Sequence, residues 1–76
     1  MKKQTFIAFH IDGNGKRVDF LRFGCKRLET VKKQMLWLMS NDLYRACTHG
    51  TVRIEIFATP DGVTYGNVPD AVLTQF

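Results

Sequence analysis

The chain has 76 residues and a net charge of +4, with 45% of its residues apolar and 24% charged. That length makes one small domain spanning residues 1–76, burying only about 60% of its unfolded surface, and the composition excludes a disordered or collagen-like chain. No apolar run approaches the roughly 20 residues a membrane span requires, and Met1-Lys2-Lys3 leads into an alternating segment rather than a signal-peptide core, so a cytoplasmic protein with no membrane partner is expected.

Residues Gln4 to Ile11 read as a first strand. Thr5, Ile7, Phe9 and Ile11 fall on one side of it, and Phe6, Ala8 and His10 on the other. Asp12-Gly13-Asn14-Gly15 is a turn signal, because glycine and asparagine tolerate positive φ. Asp12 is expected to cap that turn rather than pair with His10 in catalysis. A second strand runs from Arg17 to Phe23, and strict alternation puts Arg17 and Arg22 on opposite faces of it.

A helix is predicted to begin between Lys26 and Thr30 and to end near Asn41 or Leu43. Its apolar stripe is Leu28, Val31, Met35, Leu38 and Met39. Trp37, the chain's single tryptophan, falls nearly opposite that stripe beside Lys33 and Ser40. A large aromatic on a solvent face marks either a contact surface or a site covered by another part of the chain. Leu43 to Gly50 reads as the exit from the helix.

Thr51 to Ala58 forms a third strand, with Val52, Ile54, Ile56 and Ala58 on one face and Arg53, Glu55 and Phe57 on the other. Thr59-Pro60-Asp61-Gly62 is a turn, after which Val63-Thr64-Tyr65 is expected to return as a short fourth strand. Residues 67–76 make a docking tail that crosses the sheet or meets a partner. The expected architecture is α+β, in the order β-β-α-β-β: an antiparallel sheet with one helix packed on one face. The uncovered face is expected to carry Phe6, Arg17, Leu21, Phe23 and Phe57.

Little in this pattern carries reaction chemistry. Cys25 and Cys47 lack metal-ligand spacing and read as two reduced, partly buried thiols, although a single disulfide would satisfy the same count. No phosphate loop, dinucleotide fingerprint or zinc-finger spacing is present, so no cofactor and no metal are expected. His49, near Arg45 and Cys47, is the starting point for the enzymatic alternative, a small hydrolase; a non-enzymatic protein is the main expectation.

Charge is the stronger signal. Residues 1–33 carry nine basic and three acidic side chains, a balance of +6, whereas residues 34–76 carry two basic and four acidic, a balance of −2. Arg17, Arg22, Lys26, Arg27, Lys32 and Lys33 are the candidate phosphate contacts. Trp37, Tyr44, Phe23 and Phe57 are the candidate anchors of a protein interface. The expected partners are DNA, RNA or a nucleoprotein complex, with an acidic protein surface or a second copy of the chain as alternatives.

The helix followed by His49-Gly50-Thr51-Val52-Arg53-Ile54-Glu55, then Asp61-Gly62 and Tyr65, resembles small anti-CRISPR proteins of β-β-α-β-β fold. The resemblance covers roughly the second half of the chain. It implies an inhibitor of an RNA-guided nucleoprotein complex, and no binding residue is carried over from it.

Overall fold

A computed structural model describes residues 4–75 of the chain. Residues 1–3 and position 76 of the expected tail lie outside the described residues. The chain runs through β1 (Gln4–Asp12), β2 (Arg17–Lys26), α1 (Leu28–Met39), α2 (Asp42–Cys47), β3 (Thr51–Thr59) and β4 (Ala71–Leu73). The strands form one antiparallel sheet in the order β2-β1-β3-β4, with the helical layer on one side. This is the expected α+β arrangement.

The β1–β2 turn closes as the sequence indicates. Asp12 Oδ1 accepts the backbone N–H groups of Asn14 and Lys16, both at 2.9 Å. Gly15 takes φ +80°, which a side chain would oppose. β2 then continues past Gly24 to Lys26, because it absorbs an irregularity: Phe6 faces Phe23 and Gln4 faces Lys26, leaving one extra residue on β2.

The helical stripe packs where its period places it. Val31, Met35 and Met39 are buried against Phe6, Ala8, Phe23, Ile54 and Ile56, with Leu28 and Leu38 partly buried beside them. The helix does not run on to Leu43. It stops at Met39, and Asn41 starts a second, short helix by accepting the N–H groups of Leu43 and Tyr44 at 3.0 and 3.2 Å. The segment read as an exit loop is therefore α2.

Three further expectations are corrected. Val63–Tyr65 is not a strand; the fourth strand comes from the tail, where Ala71, Val72 and Leu73 pair with Ile56, Glu55 and Ile54. Asp70 fixes that docking, since its carboxylate accepts the Ala58 N–H at 2.7 Å and its own N–H donates to the Ile56 carbonyl at 2.8 Å. Val52 leaves the core because β3 carries an extra residue between Arg53, which faces Ile11, and Thr51, which faces Asp12. The two thiols are both free and exposed rather than partly buried.

Candidate functional site: the sheet face opposite the helices

Pairing decides which side chains share the face away from the helices. Phe6 faces Phe23, and Ala8 faces Leu21, so all four project toward α1. Phe6, Leu21 and Phe23 thus belong to the helix-covered core, which corrects their assignment to the uncovered face. Phe23 is buried and cannot anchor a partner. Phe57 does lie on the far face, across from Ile7, but it too is buried, so it is not an interface residue either.

Arg17 and Arg22 stand five positions apart, an odd step that strict alternation puts on opposite faces, yet they share this far face. His10 faces Asp19 and the next β1 residue, Ile11, faces Arg17, so Val18 is an extra residue on β2. That bulge reverses the alternation upstream of it. Arg17 therefore joins Phe20 and Arg22 on one side, and the expected separation of the two arginines is overturned.

The face is built around a second, smaller core of Ile7, Phe9, Ile11 and Phe57. Its cover comes from the loop between β3 and β4. Tyr65 lies with its ring centroid 5.2 Å from Phe9 and 5.1 Å from Phe57. The Arg17 guanidinium stands 4.0 Å from the Phe9 ring centroid and donates to the Tyr65 hydroxyl at 2.7 Å. Arg22 lies 5.1 Å from the Phe20 ring centroid and donates through Nε to the Gly62 carbonyl at 3.0 Å. Gly62 has φ +79° and passes close to Thr5. The segment expected to be a strand is instead a strap held to β2 by two arginines.

These contacts leave the arginines with unused donors, since each guanidinium has five N–H groups. Phe20 remains 45% exposed and Tyr65 37% exposed. Nearby carboxylates are occupied. Asp61 accepts from the Val63 N–H at 2.8 Å and from the Thr64 N–H at 2.7 Å, bonds that hold its carboxyl below the usual range. Glu55 pairs with Arg53 at 3.0 Å.

The other candidate cations do not join this face. Lys26 ends β2 opposite Gln4, and Arg27 is the residue before α1. Lys32 sits 3.5 Å from Glu29 on α1, and Lys33 is exposed on the same helix. The six cations selected from the sequence are thus divided between the two layers.

Trp37 is 67% exposed on α1, so residues 71–73 do not cover it; they are engaged in β4. Tyr44 is turned inward instead. Its hydroxyl lies 2.6 Å from Nε2 of His10, a fully buried ring on the helix-covered face. Burial lowers the His10 pKa below 6.5, opposed by the charge of Asp19, its partner on β2. Burial, with Asp19 adding to it, pushes the Tyr44 hydroxyl up to about 12. Nothing in the sequence spacing joined His10 to Tyr44, because the two are 34 residues apart.

An open depression of about 350 Å³ lies between α2 and β3, lined in part by Asp42, Arg45 and His49. Cys47, the third residue of that sequence grouping, is not in the lining. Among the described residues, no group of three or more His, Cys, Asp or Glu side chains is placed to hold a metal ion. None of the helices among the described residues is long and apolar enough to cross a membrane. No family model matches the chain, and no curated protein or solved structure matches it.

Proposed function

We propose that this chain is a non-enzymatic binding module that docks onto nucleic acid or a nucleoprotein assembly through the sheet face opposite the helices. The observation that carries the reading is the grouping of Arg17, Phe20 and Arg22 on one face by the bulge at Val18. Guanidinium groups supply phosphate contacts, and the exposed ring of Phe20 supplies a surface for a base. The resemblance to small anti-CRISPR proteins adds a role: occupying the nucleic-acid-binding surface or the nucleic acid of an RNA-guided complex.

A gel-shift titration with DNA and RNA tests this reading. Binding is expected at low salt and should weaken steeply as salt rises, because phosphate contacts release counterions. Absence of a shift at low salt would sink it. Trp37 supplies a second measurement in the same titration. It lies in the helical layer, so its fluorescence should stay nearly constant when ligand occupies the opposite face.

Trp37 also supports a second reading, in which the helical layer meets a protein partner with an acidic surface. A tryptophan this exposed is a candidate hot spot, with Lys33 setting orientation. Pull-down from cells with the wild-type chain and with Trp37→Ala tests it. A partner retained equally by both removes Trp37 from the interface.

A further inference from the structure

We infer that the nucleic acid taken by this face is single-stranded, with one base stacked on Phe20 and the flanking phosphates held by Arg17 and Arg22. This deepens the nucleic-acid reading proposed above and rests on it. The bulge and the alternation set the order Arg17, Phe20, Arg22 along one side of β2. The two-residue step from Phe20 to Arg22 spans roughly 7 Å of strand. A cation therefore stands on either side of an aromatic ring along the direction in which an extended strand would lie.

Three features favour a single strand over a duplex. An aromatic side chain stacks only on a base whose face is accessible, and a duplex hides those faces. Phe20 is nearly half exposed, although its neighbours Phe9 and Phe57 are buried, so the ring is presented rather than used to fill the small core. The face itself is a sheet surface that presents no helix to a duplex groove, since α1 packs on the opposite side.

Charge is complementary as well. Arg22 lies beside the Phe20 ring and Arg17 over the neighbouring Phe9 ring, while Asp61 is turned into its own loop and Glu55 is paired with Arg53. The strap contacts use one donor of each β2 arginine, Nη1 of Arg17 and Nε of Arg22, leaving the others for phosphate. The ligand chemistry is a phosphodiester strand with an exposed base; both sugars share it.

The test is fluorescence anisotropy at about 50 mM salt, using labelled oligothymidine and oligouridine of about 12 nucleotides and a duplex of the same length. Tighter binding of either single strand than of the duplex supports the inference. Phe20→Ala should then weaken single-strand binding by roughly 5- to 100-fold, whereas Leu43→Ala, on α2, should leave it unchanged. Because Phe20 is partly exposed, circular dichroism should show Phe20→Ala still folded; if that variant is unfolded, Phe20→Leu, which keeps the volume and loses the ring, takes its place.

Arg22→Gln should lower the slope of log affinity against log salt by about 0.7, the value of one phosphate contact on a single strand. Duplex bound as tightly as the single strands overturns the single-strand inference and leaves the broader reading standing. Single-strand affinity indifferent to loss of the Phe20 ring also overturns it. No binding of any oligonucleotide overturns both.

Discussion

The two faces of the sheet are both apolar, but they are closed by different means. On one side, α1 lays Val31, Met35 and Met39 across Phe6, Phe23, Ile54 and Ile56. On the other, four buried residues are covered by a tyrosine from the irregular β3–β4 loop and by an arginine at the start of β2. The helical side is closed chiefly by apolar contact, with the Tyr44–His10 hydrogen bond as a buried polar contact. The far side is closed by Tyr65 and Arg17, side chains with polar ends, and Tyr65 stays 37% exposed.

The difference can be broken from the helical side first. Met35→Ala removes a fully buried side chain beneath α1 and should cost about 3 kcal/mol in urea unfolding. A cost below about 1 kcal/mol would mean that the helical layer is not the main source of stability. Tyr65→Ala removes two ring contacts and the hydrogen bond from Arg17, and about 2 kcal/mol is expected from their combined loss. Tyr65→Phe should recover most of it, because the ring is retained.

A pH dependence sharpens the comparison, because it belongs to the helix-covered side alone. His10 is neutral and buried in the folded chain, with its pKa lowered by desolvation, and it returns to about 6.5 on unfolding. The unfolded chain therefore binds the proton more readily. His10's contribution to stability is complete above pH 6.5 and is lost as pH falls from there through the folded pKa. Tyr44 stays protonated throughout, and Asp19 is the charge that opposes the shift. Urea unfolding between about pH 7.5 and 5.5 should show stability falling with acid. The fall should be shallower in His10→Phe than in wild type, and an unchanged slope would exclude His10 as its source.

The smallest effect is expected at Trp37. Trp37→Ala should change stability by no more than about 0.5 kcal/mol in thermal unfolding, because the ring is largely in solvent. A loss above about 1 kcal/mol would show that the indole is packed and that the helical layer lacks a free aromatic.

Much of the scaffold was legible because period and burial agree. The two faces of Gln4–Ile11, the stripe Val31, Met35 and Met39, and the run Ile54–Ile56 all follow from side-chain alternation in strands or the turn of a helix. Asp12 was readable as a turn cap because the bonds it makes are local. Asn41 was not read as a second cap, although Asn41 followed by Asp42 carries the composition of a helix start; the apolar pattern running through Leu43 and Tyr44 concealed the break.

The candidate site was the least legible part. Its arginines and Phe20 could be named from composition, but their common face depends on the extra residue at Val18, which appears only when β2 is set against β1. The strap misled for a related reason. Val63-Thr64-Tyr65 has strand-forming residues, yet Asp61 bends the backbone back through its bonds to Val63 and Thr64, and Tyr65 finds two aromatic neighbours. Asp70 then positions the three tail residues as the edge strand.

By itself the sequence determined a small basic α+β domain, the faces of its first strand and helix, and an outward Trp37, because these rest on period and composition within one segment. Only the tertiary structure decided that Arg17 and Arg22 share a face, that Phe23 and Phe57 are buried, that Tyr44 meets His10, and that the tail supplies the fourth strand. Those outcomes depend on register between segments far apart in the chain, and a one-residue shift in register moves a side chain from one face of a sheet to the other.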